Sequence, residues 1–332
     1  MILPGADSHA IAQAAQRIRA GQLVGLPTET VYGLAADACN DHAVASIFAA
    51  KGRPADHPLI VHIASISNAS IFASHVPDFA HALMHAFWPG PLTLILPRRA
   101  GVASAAATDQ DAIGLRCPAH PVAQALLHAC RELGVQGLAA PSANRFGRIS
   151  PTTAAHVQEE LGEQLLVLDG GACQVGIESS IVDCTRGRPV LLRPGVLARA
   201  QLQAVCGRPV RDTNDPSLQP LPSAPRASGT LAAHYAPRAQ LRVMPRPLLQ
   251  AALAASGPQL QGLAVYAREP LPQVPQGVLL RTMPAEASAC AQELFAVLRE
   301  LDAQGVQQIW VEEVPQEGAW DGVRDRLQRA AS

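Results

Sequence analysis

The sequence has few of the features that mark exported or membrane proteins. No apolar run reaches the roughly 18 residues that a membrane helix needs, and the opening Met-Ile-Leu-Pro-Gly lacks the charged region with which a signal peptide starts. The 7 cysteines include no Cys-x-x-Cys pair, so neither a disulfide framework nor a zinc finger is predicted. We expect a cytoplasmic protein whose thiols stay reduced and which has no membrane partner.

Two common nucleotide-binding motifs are also missing. The chain contains neither Gly-x-x-x-x-Gly-Lys-Ser/Thr nor a Gly-x-Gly-x-x-Gly that follows a strand, so neither a P-loop nor an ordinary dinucleotide fold is predicted. The formal net charge is -1 and the pI is about 6.8, which gives no general positive field for nucleic acid. We expect no DNA partner, and any contact with a polyanion must come from a local cluster of cations.

Length and composition predict two domains joined by a linker. The chain has 332 residues, of which 48% are hydrophobic and 16% charged, which is ample for two cores. Residues 207–238 are rich in residues that prevent regular strand pairing, among them Pro216, Pro220, Pro222 and Pro225. We therefore predict a first domain over residues 1–206 and a linker over 207–238. Alternating strand and helix patterns over 239–332 predict a small second α/β domain.

The first polar cluster follows the apolar run Leu23–Leu26, which is typical of a buried strand. Pro27 must end that strand, because proline has no N–H to donate to a sheet ladder. The polar residues that follow are Thr28, Glu29, Thr30 and Tyr32. In α/β folds ligands bind beyond the ends of strands. We therefore expect a binding site at this exit.

Two cations follow the next predicted helix. Asn40 or Asp41 can cap this helix, and Lys51 and Arg53 leave its C-terminal end. The strand after them returns His62 to the polar exit of the first strand. We interpret the two cations as phosphate-binding residues, although cations at a helix C-terminus also complement the helix dipole.

Arginines recur where predicted strands end. Arg116 follows one apolar run and can clamp a carboxylate, and Arg193 follows another run at a proline turn. Between them, the small and hydroxylic stretch Pro141–Pro151 would let a backbone approach a ligand. We predict that Ser150 caps a helix there, with Pro151 in its first turn, and that the helix N-terminus binds phosphate. A polar loop without a ligand is the alternative.

The predicted linker ends in Ser228–Pro237, where hydroxyls, a histidine and an aromatic ring interrupt the spacer composition. A spacer would not need Tyr235. We predict that this end closes over a ligand of the first domain. Packing of Tyr235 between the two domains is the alternative interpretation.

Six motifs occur in the order found in the long form of the threonylcarbamoyl-AMP synthase family, which the chain resembles over nearly its whole length. The motifs are Pro27–Gly33, Lys51–Pro54, His57–His62, Trp88–Thr93, Pro141–Asn144 and His234–Pro237. The resemblance implies an α/β fold with a twisted, mostly mixed sheet and helices around a deep cleft (YrdC-like). It also implies a small Rossmann-like α/β C-terminal domain.

The resemblance implies a reaction as well. Members of the family join L-threonine, bicarbonate and ATP into threonylcarbamoyl-AMP and release pyrophosphate, which is a nucleotidyl transfer. Mg²⁺ would enter with ATP and be held mainly through its phosphates, and no organic cofactor is expected. The product would pass to the transferase machinery that modifies the tRNA adenosine next to the anticodon.

The family pattern also assigns two sets of site residues. Threonine is given to Thr30, His62, Arg116, the Ala140 backbone and Ser179. Nucleotide and phosphates are given to Lys51, Arg53, His57, Ser142, Asn144, Ser150, Arg193 and Tyr235, with Lys51 and Arg53 as the catalytic cations. His57 departs from relatives that carry asparagine there. No covalent nucleophile is implied, so catalysis would rest on orientation and charge stabilisation.

Two other classes of protein share a cationic cleft. An RNA-binding module would have one, but the near-neutral charge and the absence of an aromatic stacking stripe count against it. The second class is the carbamoyl-transfer domain found in hydrogenase-maturation proteins. This sequence has no acylphosphatase or zinc-finger segment of the kind those proteins carry.

Overall fold

The computed structural model describes residues 1–213, 215, 225–231 and 233–332. Pro216, Pro220 and Pro222 of the predicted linker lie outside these residues. The chain divides into two compact units, the first formed by residues 1–146 and 150–230 and the second by 147–149 and 231–332. The predicted linker is therefore shared between the two units. No helix in the described part of the chain is long and apolar enough to cross a membrane.

The first unit is built on a mixed sheet of 11 strands among its described residues. The strands are β1 (Ile2–Pro4), β2 (Val24–Leu26), β3 (Gly33–Asp37), β4 (Ile60–His62), β5 (Leu92–Pro97), β6 (Ala112–Arg116), β7 (Leu138–Ala139), β8 (Leu166–Asp169), β9 (Ser180–Asp183), β10 (Val190–Arg193) and β11 (Arg211–Asp212). Their order in the sheet is β1-β8-β2-β3-β7-β4-β6-β5-β9-β10-β11. The mixed α/β fold class predicted from the sequence is confirmed.

Strand pairing sets which residues meet at the edges of this sheet. The antiparallel pair β2 and β3 places Leu26 opposite Gly33, and the parallel pair β4 and β6 places His62 opposite Arg116. A Cβ atom on Gly33 would lie 3.2 Å from the Cβ of Ala140, so glycine allows the close approach of these segments.

Helices cover both sides of the sheet. They are α1 (Ser8–Arg19), α2 (Asp41–Lys51), α3 (Ala69–Phe72), α4 (Asp78–Phe87), α5 (Ser104–Ala107), α6 (Pro121–Glu132), α7 (Ala154–Leu161) and α8 (Arg199–Cys206). Ile18 of α1 and Leu126 of α6 share one apolar core with β2 and β8. Ile47 of α2 and Leu83 of α4 belong to a second core with β5 and β6.

Helix α2 is fixed at both ends, which determines where its C-terminal cations lie. Asn40 Oδ1 accepts from the backbone N–H groups of His42 (3.1 Å) and Ala43 (3.2 Å), so Asn40 is the N-cap. Gly52 ends the helix in the left-handed region, with φ of 61°. Lys51 is therefore the last helical residue.

The second unit is a smaller α/β layer structure with a wholly parallel sheet. Its strands are β12 (Gln240–Met244), β13 (Leu263–Ala267), β14 (Leu279–Thr282) and β15 (Gln308–Glu312), in the order β12-β15-β13-β14. Its helices are α9 (Arg246–Ala255), α10 (Ala287–Ala303) and α11 (Asp321–Ala330). This arrangement agrees with the Rossmann-like prediction.

Candidate active site

The loop that leaves β2 places three polar side chains inside the first unit. Thr28 Oγ1 donates to the carbonyl of Val31 (2.6 Å) and lies 2.9 Å from Thr30 Oγ1, which fixes the turn. The carbonyl of Glu29 accepts from the backbone N–H of Val175 (2.7 Å). Thr28, Glu29 and Thr30 are all buried. The polar exit predicted after the first strand is therefore a well-fixed, buried loop.

Arg116 ends β6 and lies against this loop. Its Nη1 donates to Thr30 Oγ1 (2.8 Å), its Nη2 to Glu29 Oε1 (2.7 Å) and its Nε to the carbonyl of Gly90 (3.3 Å). Only 5% of the Arg116 side chain and 8% of the Glu29 side chain are exposed. The sequence analysis predicted a carboxylate clamp at Arg116 but missed the carboxylate that the protein itself supplies.

His62 lies beside Arg116 because β4 and β6 run parallel in register. Burial, followed by the charge of Arg116, lowers the pKa of His62 to about 3, so the ring is neutral near pH 7. Among the described residues, its buried Nδ1 has no hydrogen-bond partner. A neutral imidazole nitrogen can accept or donate one hydrogen bond according to its tautomer. The structure thus gathers Thr30 and His62, both in the predicted threonine set, around Arg116.

Ser179 and Ala140 complete the predicted threonine set. Ser179 directly precedes β9; its Oγ lies 2.7 Å from Thr93 Oγ1, and its carbonyl accepts from Nη2 of Arg193 (2.9 Å). Ala140 follows β7, and its N–H donates to the carbonyl of Ile60 (3.0 Å). The backbone group of Ala140 that could bind a ligand is therefore its carbonyl, which could accept a hydrogen bond. Ser179 is linked directly to Arg193 of the predicted nucleotide set.

Lys51 is buried and ties the end of α2 to the loop after β7. Its Nζ donates to the carbonyls of Ser142 and Asn144, the second at 2.5 Å. Burial, followed by the charge of Arg53, lowers the pKa of Lys51 from 10.5 to about 7. The structure thus brings together three residues that the sequence assigned to the nucleotide, although they lie in two separate stretches of the chain.

Arg53 and Arg193 both donate hydrogen bonds to Ser228, near the end of the first unit. Arg53 Nη2 donates to the carbonyl of Pro58 (3.1 Å) and to Ser228 Oγ (3.3 Å), and its guanidinium lies 5.9 Å from the ring centroid of Phe146. Arg193 Nη1 donates to the carbonyl of Ser228 (2.8 Å). A residue of the predicted linker therefore contacts two arginines of the predicted phosphate set.

His57 lies at the partly exposed side of this cluster. Its ring packs edge-on against Phe146, with centroids 5.5 Å apart. Burial, followed by the charge of Arg53, lowers the pKa of His57. The histidine is therefore mainly neutral near pH 7 in the free protein, and a bound phosphate would favour its protonated form.

Ser150 does not cap a helix, so that prediction is wrong. Helix α7 begins at Ala154, and Thr153 Oγ1 accepts from the backbone N–H of His156 (3.3 Å) as its cap. Ser150 is instead buried and donates its hydroxyl hydrogen to Glu178 Oε1. The sequence analysis did not single out Glu178, because no local pattern ties it to a serine so far away in the chain. The assignment of Ser150 to the nucleotide stays a prediction.

Tyr235 belongs to the second unit. It has a φ of 64°, its ring centroid lies 5.4 Å from that of Phe295, and the Arg326 guanidinium lies 5.3 Å from its ring. The contact of Tyr235 with a nucleotide stays a prediction.

The cysteines near Arg116 are not activated. Burial, followed by the charge of Glu29, raises the pKa of Cys173 to about 12, and burial also raises the pKa of Cys117. Both thiols are therefore protonated near pH 7 and are poor nucleophiles. The remaining polar groups of the site can bind, orient and stabilise charge.

These features define a class of protein: an α/β domain with fixed, buried cations at strand and helix ends and a sequence without a P-loop motif. One end of the site carries Arg116 and a neutral histidine, which suits a small polar ligand with a carboxylate. The other end carries Lys51, Arg53 and Arg193, which suits phosphates.

Comparison with known proteins identifies the family. The Sua5, YciO and YrdC family model, described as telomere recombination, matches residues 16–195, and the model described as threonylcarbamoyl-AMP synthase, C-terminal domain, matches 197–332. The threonylcarbamoyl-AMP synthase of Pyrococcus abyssi is 38% identical, covering 96% of this chain and 93% of its own length. That of Bacillus subtilis is also 38% identical, covering 97% and 92%. This chain belongs to the threonylcarbamoyl-AMP synthase family.

A solved structure supports the same assignment. The crystal structure of P. abyssi Sua5 complexed with L-threonine matches with a TM-score of 0.84 and 36% identity, covering 97% of this chain and 94% of that chain. The match includes both units, so the α/β fold is that of the long relatives.

Proposed function

We propose that this protein is a nucleotidyltransferase that makes threonylcarbamoyl-AMP and pyrophosphate from L-threonine, bicarbonate and ATP. The observation that supports the proposal is the presence in one unit of two clusters of buried polar side chains, one around Arg116 and one around Lys51 and Arg53. Relatives that this chain matches over 92–93% of their own length are named threonylcarbamoyl-AMP synthase, and the matching structure of P. abyssi Sua5 is a complex with L-threonine.

The cluster around Arg116 would hold the amino acid. Arg116 keeps N–H groups beyond the three that Thr30, Glu29 and Gly90 engage, because a guanidinium has five. A substrate carboxylate could accept from these. The buried Nδ1 of His62 could exchange one hydrogen bond with the threonine hydroxyl or amine.

The cationic cluster would hold ATP and stabilise the leaving group. Threonine and bicarbonate first give a carbamate with loss of water and a proton. A carbamate oxygen then forms a bond to the α-phosphorus while the bond from that phosphorus to the β-phosphate bridging oxygen breaks, and pyrophosphate departs. Lys51 and Arg53 are placed to offset the negative charge that develops on the leaving group.

Mg²⁺ would enter with ATP and neutralise phosphate charge. The described residues contain no group of three or more possible metal ligands, and Mg²⁺ is often bound through substrate phosphates with few protein ligands. An ion held in this way arrives with the nucleotide and needs few protein ligands. We further propose that the product is passed to cytoplasmic machinery that modifies tRNA.

The proposed reaction can be tested by mass spectrometry. The protein would be incubated with ATP, Mg²⁺, bicarbonate and L-threonine, and threonylcarbamoyl-AMP and pyrophosphate would be quantified. We expect equal amounts of both, and neither when threonine or bicarbonate is left out, because the carbamate that attacks the α-phosphorus then cannot form. Equal pyrophosphate release in the absence of either substrate would contradict the proposal.

A further inference from the structure

The buried ion pair between Glu29 and Arg116 is a feature that the proposed reaction does not by itself require. Burying a lone guanidinium costs several kcal/mol, and Glu29 offsets that cost at 2.7 Å from Arg116 Nη2. The pair is therefore close to electrically neutral before any ligand binds. A second carboxylate placed on Arg116 would leave an excess negative charge in a buried site.

The hydrogen bonds of the pair leave both donors and acceptors for a ligand. Three N–H groups of Arg116 are engaged, by Thr30, Glu29 and Gly90, so others remain. Glu29 Oε1 accepts from Arg116, and Glu29 Oε2 accepts from the backbone N–H of Ala119 (3.1 Å). A carboxylate can accept about four hydrogen bonds, so Glu29 can accept more.

A zwitterionic α-amino acid matches this pair better than a simple carboxylic acid. Its carboxylate can accept from Arg116 while its ammonium donates to Glu29, and the ligand adds no net charge to the buried site. A carboxylate without an ammonium would be attracted by Arg116 but repelled by Glu29. We propose that Glu29 is the counter-ion of the substrate ammonium and so a specificity-determining residue for the free α-amino group. This inference rests on the proposed function, because it takes L-threonine as the substrate.

Binding of two matched ligands tests the inference. L-Threonine and (R)-3-hydroxybutyrate differ only in the amino group, and their dissociation constants would be measured by calorimetric titration of the full chain without ATP. We expect wild-type protein to prefer threonine strongly. Glu29→Gln should reduce the ratio of the two dissociation constants by roughly 10-fold or more, since a charge-assisted hydrogen bond contributes about 1.5–3 kcal/mol.

A matched control removes another buried carboxylate from an arginine pair. Glu312 lies 3.0 Å from Arg246 in the second unit, so Glu312→Gln should leave the ligand ratio unchanged. If Glu29→Gln weakens both ligands in parallel, Glu29 only positions Arg116 and the inference is overturned. Should Glu29→Gln fail to fold, the wild-type measurements decide: binding of (R)-3-hydroxybutyrate as tightly as threonine overturns it. Wild-type protein that binds no threonine at all would overturn the proposed function as well.

Discussion

Two buried cations of the site differ in how their charge is maintained. Arg116 is paired with a carboxylate, whose Oε1 on Glu29 lies 2.7 Å from Arg116 Nη2. Lys51 Nζ donates to the carbonyl oxygens of Ser142 and Asn144, and burial lowers the pKa of Lys51 to about 7. The charge of Lys51 is therefore conditional on pH, and a bound polyphosphate would favour its protonated form.

This difference predicts a pH-dependent affinity for ATP. As the pH rises from 7 to 8.5, the free protein loses the proton of Lys51, so the dissociation constant for Mg²⁺–ATP should rise several-fold, with a limit of about tenfold per pH unit for a single proton. Titration calorimetry across this range would measure it. Lys51→Ala should bind more weakly and show a flat profile.

Burial lowers the pKa of the neighbouring His57 and His62, so both are mainly neutral in the free protein throughout this range. The part of the pH dependence that Lys51→Ala abolishes is therefore assigned to Lys51. An unchanged wild-type affinity for Mg²⁺–ATP between pH 7 and 8.5 would contradict the assignment of Lys51 to the nucleotide.

The stability of the free protein should rise with pH, whereas its affinity for ATP falls. Between pH 7 and 10.5 the unfolded chain binds more protons at Lys51 than the folded chain, so this residue makes the free energy of unfolding rise with pH.

At the scale of single elements, α2 positions the cations because both of its ends are specified by sequence. Asn40 caps the N-terminus with two hydrogen bonds, and Gly52 supplies the left-handed residue after Lys51. A Cβ on Gly52 would meet no atom within 4 Å, so glycine is favoured there by backbone conformation and not by space.

Loss of the N-cap should weaken the first unit without changing the site chemistry. We expect Asn40→Ala to lower the free energy of unfolding by about 1 kcal/mol, because the N–H groups of His42 and Ala43 lose their acceptor. Urea denaturation followed by circular dichroism would measure the change. Asn40→Asp is the matched control, since aspartate caps equally well. A loss as large for Asn40→Asp as for Asn40→Ala would show that the cap does not contribute.

The sequence predicts what local signals determine and misses what depends on distant partners. The strand that ends before Pro27 was predicted, as was the next helix with Asn40 or Asp41 as its cap, and the structure places the cap at Asn40. The family resemblance, not a local signal, grouped Lys51 with Ser142 and Asn144. The Ser150 cap was wrong because Thr153 starts the helix instead. The pair of Glu29 and Arg116 was missed because 87 residues separate its members, and only the sheet brings them together.

Strand order shows the same limit on a larger scale. The sheet inserts β8 between β1 and β2, and β7 between β3 and β4. Such pairings follow from how apolar faces are covered across the fold, and the hydrophobic periodicity of a single segment does not encode them.

Helix α11 (Asp321–Ala330) was not predicted from the sequence. Its apolar face is narrow and most of its residues are charged or polar, so the hydrophobic pattern is weak.

At the scale of the whole molecule, the last residues of the first unit lie beside Arg53 and Arg193. Ser228 accepts from Arg53 through its hydroxyl and from Arg193 through its carbonyl. Arg226 forms a half-exposed ion pair with Asp56 at 3.2 Å, and such pairs contribute little to stability. The residues around Ser228 are therefore held by the same arginines that we propose bind ATP.

We predict that the residues around Ser228 close over bound nucleotide and are not displaced by it. ATP with threonine would add negative charge beside Arg53 and Arg193, and closure would exclude water from the reactive carbamate. Limited trypsin digestion followed by mass spectrometry would compare cleavage after Arg226 with and without both ligands. Cleavage after Arg226 should slow several-fold, whereas cleavage after Arg281, whose side chain is 47% exposed in the second unit, should not change. Faster cleavage after Arg226 with ligands would mean that phosphates displace Ser228, and the segment would then compete with ATP for the arginines instead of covering it.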